Sequence, residues 1–240
     1  MNFEISVLGS GAGDSAVYNA LPSSGFMLLA DGQPFCLVDL GLGVGQQVLE
    51  AFGGFPKQII ITHNHSDHAG ELPVVLRVEQ AQGRKLEVIS HCEVAEQLKL
   101  HRVAEHLQLI TADELADWRS PETAETIDLA HGLDITFYPG SHSEFSCGFL
   151  VRRDGEPLLS YSGDTTLVPE LYTLLDEAEV FIMDARPKPN RWHASFEDVK
   201  PWLDRGRYIL GHGLNEQNAK QYKQDGWPLL WQGDRIAFGN

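Results

Sequence analysis

The stretch Thr62-His63-Asn64-His65-Ser66-Asp67-His68-Ala69-Gly70 constrains this chain more than any other. His63, His65, Asp67 and His68, four potential metal ligands, fall within six positions. Before them runs Gln58-Ile59-Ile60-Ile61, apolar, β-branched and of strand length. After them Glu71 to Gln80 reads as a helix. The cluster therefore sits on a strand-to-helix loop, where a scaffold holds functional groups at a strand end. In extended chain, residues two apart point the same way, so His63 and His65 can grip one ion. As the chain turns toward the helix, Asp67 and His68 can face a second position nearby. Imidazole nitrogens and a carboxylate oxygen suit zinc, manganese or iron, and two such cations can clamp a reacting group between them.

A chain of 240 residues is expected to form one domain spanning 1–240. Its 18 Lys and Arg against 34 Asp and Glu give a net charge of -16, which argues against a broad nucleic-acid footprint. A small anionic substrate stays open, because bound cations reverse the local sign. Cys36, Cys92 and Cys147 are dispersed and form no CxxC pair, which suits a reducing compartment. No stretch reaches membrane-spanning length and no secretory signal is visible, so a cytoplasmic protein without membrane contact is expected. Monomer and homo-oligomer both stay open.

Phe3 to Leu8 alternates as a half-buried strand, followed by the glycine-rich Gly9-Ser10-Gly11-Ala12-Gly13-Asp14. A dinucleotide-binding loop would need a helix at once. Asn19, Pro22, Ser23, Ser24 and Gly25 oppose one, which leaves a tight loop of close backbone approach. Strands are expected over 26–30, 34–38, 86–89, 134–138, 147–151, 157–161, 180–183, 207–210 and 235–238. Helices are expected over 45–52, 91–109, 169–177, 196–203 and 215–224, with 111–126 an irregular acidic connection. His91, His101 and His106 read as ordinary helix residues and His131 as a turn residue. Arg186-Pro187-Lys188-Pro189-Asn190-Arg191 is a basic loop in an acidic chain, fit to hold an anionic group or simply solvated.

His-x-His-x-Asp-His resembles the signature of the metallo-β-lactamase superfamily. Ala69-Gly70-Glu71-Leu72-Pro73 and the Leu-Gly-x-Gly opening at Leu8 resemble its ribonuclease Z and phosphodiesterase branch. The resemblance spans nearly the whole chain. It specifies, within the α/β class, a four-layer αββα sandwich. It implies His63, His65 and His142 on one metal and Asp67, His68 and His212 on the other, with Asp164 of Ser162-Gly163-Asp164-Thr165 bridging them. Asp39 matches an aspartate that supports the metal loop, though a turn aspartate reads the same.

His193, before Ala194-Ser195, matches a histidine that protonates the leaving oxygen or stabilises its charge. The alternative is a capping loop with Ser195 as N-cap. The implied reaction is hydrolysis by a hydroxide generated at two divalent cations, zinc first, manganese or iron otherwise. Asp67 would orient that hydroxide or take its proton, so Asp67 and His193 are the catalytic candidates. A small or nucleotide-like phosphodiester is the favoured substrate. The segment from His68 to His142 is too short and acidic for the arm that grasps tRNA in true ribonuclease Z. A lactone, thioester or β-lactam hydrolase, and a non-catalytic metal or ligand sensor, are the alternatives.

Overall fold

The computed structural model describes residues 1–239 of the 240-residue chain. Its first half runs β1 (Phe3–Gly9), α1 (Gly13–Asn19), β2 (Gly25–Ala30), β3 (Gln33–Val38), α2 (Val44–Phe52), β4 (Gln58–Ile60), α3 (Ser66–Ala69), α4 (Leu72–Ala81), β5 (Leu86–Ile89), α5 (Cys92–Gln97), α6 (Ala112–Leu115) and β6 (Ala116–Arg119). The second half runs β7 (Thr126–Asp128), β8 (Leu133–Pro139), β9 (Cys147–Arg153), β10 (Glu156–Tyr161), α7 (Pro169–Leu175), β11 (Val180–Asp184), α8 (Phe196–Val199), β12 (Arg207–Leu210), α9 (Glu216–Gln224), β13 (Leu229–Leu230) and β14 (Arg235–Phe238).

Among the described residues the strands form two seven-stranded sheets, ordered β14-β1-β2-β3-β4-β5-β6 and β13-β12-β11-β10-β9-β8-β7. The same pattern of directions recurs in both. An antiparallel meander, β1-β2-β3 or β8-β9-β10, continues into parallel strands, β4-β5-β6 or β11-β12-β13.

Alternation along the strands builds the layers. Phe3, Ile5 and Val7 of β1 and Phe26 and Leu28 of β2 face the second sheet, where Ile135, Phe137, Phe149 and Tyr161 meet them in one buried cluster. The opposite faces carry Met27, Leu29, Leu37 and Ile59, which pack under Val48 of α2 and Leu72 and Leu76 of α4. On the far side Leu150, Phe181, Met183 and Ile209 pack under Tyr172 and Leu175 of α7, Phe196 of α8 and Ala219 of α9. The result is the expected αββα sandwich, held by three apolar layers.

Four local expectations change. A seven-residue α1 does follow the glycine loop, closed at its C-cap by Ala20, whose φ of 53° lies in the left-handed region. The loop itself is tight as expected: a Cβ on Gly9 would stand 2.1 Å from the Ser23 carbonyl oxygen. The 91–109 helix breaks into α5, a π-helical turn at Leu98–Arg102 and a 3-10 turn at Ala104–His106. Residues 111–126 are not irregular throughout. Thr111 and Glu114 form a capping box that starts α6, and β6 then pairs with β5 as an edge strand. The 196–203 helix stops at Val199 and tightens to a 3-10 turn, because Pro201 has no N–H to continue the α-helical ladder. No described helix is long and apolar enough to cross a membrane.

Candidate metal centre

β4 ends at Ile60, and the chain continues extended through His63 and His65 before α3 begins at Ser66. The extended geometry aims both imidazoles one way. His63 Nε2 lies 3.1 Å from His65 Nδ1, and His142 Nε2 lies 3.1 Å from the same atom. His142 arrives from the loop after β8, whose last residue is Pro139. Nitrogens about 2.0–2.1 Å from a common cation stand roughly 3.0–3.4 Å apart in four- to six-coordinate geometry, so the spacing fits one shared ion.

Beside this trio, α3 turns Asp67 and His68 toward Asp164 and His212. Asp164 follows β10, and His212 follows β12. His212 Nε2 is 3.5 Å from Asp67 Oδ2 and 3.4 Å from Asp164 Oδ2, and His68 Nε2 is 3.2 Å from Asp164 Oδ1. His63, His65 and His142 form one cluster of donor atoms, Asp67, His68, Asp164 and His212 a second, and Asp164, Asp184, His193 and His212 a third group that overlaps the second. Asp164 Oδ2 is also 3.9 Å from both His63 Nε2 and His142 Nε2, so its carboxylate stands between the clusters. All seven residues expected as ligands are thereby brought together.

On three of the histidines the donor nitrogen is the one left over after the other ring nitrogen has found a partner. His68 Nδ1 is 2.7 Å from Asp39 Oδ2, His142 Nδ1 is 2.9 Å from the Trp192 carbonyl, and His63 Nδ1 is 3.1 Å from Thr62 Oγ1. These contacts fix ring orientation and leave each Nε2 lone pair facing the cluster. His68 Nε2, His212 Nε2 and Asp164 Oδ1 are buried without any hydrogen-bond partner. Buried polar atoms are almost always paired, so three orphans converging on one volume, all of ligand type, fit a bound cation.

Electrostatics divide the donors into two kinds. Burial, then the neighbouring His68, holds His63 well below the ordinary imidazole range, and burial likewise lowers His142. Both present neutral nitrogens, the ligating form. Burial alone would raise the Asp164 carboxyl, but His68 and His212 outweigh it and keep Asp164 ionised. The same balance keeps Asp67 ionised, with His212 and His68 overcoming its burial. Burial disfavours a charge on His212, yet Asp164, with Asp67 assisting, outweighs burial and Arg186 and lifts it to about 9. His68 is pushed up in the same way by Asp164 and Asp39.

Asp39 works as the support expected of it. Its carboxylate accepts the Thr62 N–H at 2.9 Å and the Thr62 hydroxyl, besides holding His68. Gly163, with φ of 60°, lets the chain bend after β10; a Cβ there would stand 2.5 Å from the Cys147 carbonyl oxygen. His193 lies on the loop after β11, its ring centroid 5.0 Å from that of His142 and 5.6 Å from that of His212. Ser195, two residues on, caps α8. His193 Nδ1 sits 2.7 Å from Asp184 Oδ2, and its Nε2 3.2 Å from Arg186 Nη2. The remaining histidines stay outside: His91 caps α5, His106 contacts the Pro73 carbonyl, and His131 occupies a left-handed turn against Phe35.

Three supporting residues escape a reading of the sequence. Asp184 anchors His193; its place at the end of a strand was a signal of the kind that marks Asp164. Glu144 accepts from Asn64 Nδ2 at 3.1 Å and lies 3.4 Å from His65 Nε2. Arg102, from the π-helical turn, donates to the Asn64 side chain at 3.1 Å and to its carbonyl, clamping the donor loop. Neither Glu144 nor Arg102 stands in any local pattern that would reveal its role.

This double donor cluster, set at the strand ends of an αββα sandwich, defines a metallo-β-lactamase-fold protein. Solved structures share the whole architecture. The metallo-β-lactamase-fold protein YhfI from Bacillus subtilis superposes with a TM-score of 0.77 at 15% identity, covering 98% of this chain and 99% of that one. A diphosphatase from the PhnP family gives 0.69 at 18% identity, covering 99% and 98%. More specifically, the chain belongs to the family described as Anti-Pycsar protein Apyc1, which it matches over residues 3–226. A protein of Azorhizobium caulinodans described as a UPF0173 metal-dependent hydrolase is 27% identical over 124 residues. The chain spans about half the length of such relatives, 47% in that case.

Proposed function

We propose that this protein is a metal-dependent hydrolase that cleaves a small or nucleotide-like phosphodiester. The observation that carries this reading is the convergence of seven ligand-type side chains into two adjoining clusters. His63, His65 and His142 would hold one divalent cation and Asp67, His68 and His212 the other, with Asp164 shared. The histidine-rich donor set favours zinc. When bound, such a pair supplies Lewis acidity and an acidified water.

The chain's own groups account for the rest. Asp67, kept ionised, orients the attacking water and accepts its proton. His193 borders the same volume; to assist the leaving oxygen, its Nε2 must exchange Arg186 for that oxygen. Asp184 holds the other nitrogen and fixes the ring during that exchange. The preference for a phosphodiester is supported by Gly70-Glu71-Leu72-Pro73, Ser162-Gly163-Asp164-Thr165 and His193, and by the phosphate chemistry named for the PhnP-family relative. A tRNA substrate is disfavoured, because the segment from His68 to His142 is taken up by α4, α5, α6 and β5 to β8, and the chain is acidic.

The test is turnover of bis(p-nitrophenyl) phosphate against a panel of thioesters and lactones, after loading with zinc or manganese. Diester cleavage lost on chelation and restored by metal is expected. Cleavage confined to the carbonyl substrates would overturn the phosphodiester assignment, and binding without hydrolysis of either class would make the site a sensor.

A further inference from the structure

Arg186 is the one cation of the basic loop that the fold turns inward. Its backbone is pinned on both sides: its N–H donates to the Ala194 carbonyl at 2.8 Å, and its own carbonyl accepts from Phe196 at 2.8 Å. The guanidinium then lies between His193 and the turn that carries His212. Nη2 is 3.2 Å from His193 Nε2, and a Cβ placed on Gly213 would stand 2.3 Å from Nη1. Glycine beside His212 therefore leaves the space that the guanidinium fills. Arg186 can only donate, so His193 Nε2 accepts and Nδ1–H faces Asp184. An Asp184–His193–Arg186 chain holds the fork in place.

What Arg186 lacks is a counter-ion. Among the described residues no carboxylate lies within 4.0 Å of its nitrogens, since Asp184 and Asp164 both engage His193 instead. Its Nε is buried and has no partner. The other cations of the loop behave differently: Lys188 and Arg191 are exposed, and Arg191 stacks on Trp192 at 4.4 Å. A partly buried charge without a partner is costly and is retained where an anion completes it. A planar fork at the edge of a hydrolytic centre matches two oxygens of one tetrahedral anion.

We infer that Arg186 binds the non-bridging oxygens of the substrate's phosphoryl group, its guanidinium held toward the centre by His193 and Asp184 until the leaving oxygen takes its place on His193 Nε2. This rests on the phosphodiester reading above, and it makes Arg186 the determinant of preference for anionic over neutral substrates. The probes are inorganic phosphate, measured by calorimetry and as a competitive inhibitor, and a pair of substrates: the anionic diester and an uncharged p-nitrophenyl ester.

Arg186→Met in the metal-loaded protein is expected to weaken phosphate binding about ten- to a hundredfold, the range for a charge-assisted contact. Its metal content should equal that of the wild type. Arg186→Lys, which keeps the charge but loses the fork, should fall between. KM for the diester should rise more with Arg186→Met than KM for the uncharged ester does. His193→Gln, whose amide oxygen still accepts from Arg186, should retain more phosphate affinity than His193→Leu.

Unchanged phosphate affinity in a folded, metal-replete Arg186→Met protein would overturn the inference. If that variant does not fold, equal phosphate affinity in Arg186→Lys and wild type does the same. Should the wild type bind phosphate through Arg186 yet cleave no diester, the phosphodiester reading fails and the anion seat stands. Diester cleavage indifferent to Arg186 has the reverse meaning.

Discussion

The two sheets share a pattern of strand directions but provide their donors in opposite ways. The first gathers His63, His65, Asp67 and His68 on one loop after β4. The second spreads His142, Asp164 and His212 over three loops, after β8, β10 and β12. The first loop is braced by side chains from elsewhere: Asp39 at the end of β3, and Arg102 from the π-helical turn. The second half relies on backbone and turn geometry, with the Trp192 carbonyl on His142 and a left-handed Gly163 before Asp164. The compact donor loop is braced from outside through Thr62 and Asn64, the residues that alternate with its first donors. A dispersed set is placed by the sheet itself, since strands in register set where each loop begins.

The sharpest way to break this comparison is Asp164→Asn, which removes the carboxylate standing between the two clusters. Turnover should fall by about 1000-fold, as for other losses of transition-state charge stabilisation, and bound metal should drop from the proposed two equivalents toward one by elemental analysis. Retention of two equivalents would show that each cluster holds its cation without the shared carboxylate. Next in size is the brace. Asp39→Asn keeps the shape but weakens the hold on Thr62 and His68, and metal affinity should fall about 10- to 100-fold in a competition titration. Equal affinity would mean that the donor loop needs no support.

The pH dependence separates the protein without cations from the loaded protein. His212 rises from about 6.5 in the unfolded chain to about 9 in the folded one, the work of Asp164 and Asp67 against burial. A raised folded-state value contributes stability that is full below about pH 6.5 and lost as pH climbs through about 9. Ligation needs the neutral ring, so cations gain affinity over the same interval. In melts from pH 6.5 to 9, Tm of the metal-stripped protein should decline while the rise on adding zinc grows. A zinc shift that shrinks with pH would contradict this.

The smallest effect belongs to the second half's capping device. Ser195→Ala removes the N-cap of α8 and should cost about 1 kcal/mol, or roughly 2–4 °C in Tm for a chain of this size. Metal content should not change, since Ser195 touches Asp198 and not the donors.

The same asymmetry explains what could be read from the residues. The first half's cluster is visible because four ligand types crowd one stretch next to a β-branched run. His142, Asp164 and His212 are single residues in ordinary turns, and they become legible only through likeness to a family pattern. Glu144 and Arg102 escape even that, because each works through a contact with a distant segment, whereas Asp184 carries only the weak signal of a strand-end position. Among the structural elements, β6 is hidden because it is an edge strand carrying Asp117 and Arg119, which form ion pairs with Lys85 and Glu87. β13 is two residues long, too short for alternation to show. The short α1 is masked by the glycines before it and the breakers after it.

One donor per loop has a further consequence. The segments joining β8 to β9, β10 to α7 and β12 to α9 each carry one donor, and only a few neighbours are tied down, as where Ser141 N–H donates to Thr165 Oγ1 and Thr166 N–H to the Ser141 carbonyl, both at 2.8 Å. Lineages can recharge the untied positions of those stretches to admit different guests without disturbing the chemistry at the strand tips. The crowded loop after β4 has no such latitude, so diversification of this protein's relatives should concentrate on the side of the molecule where Arg186 sits.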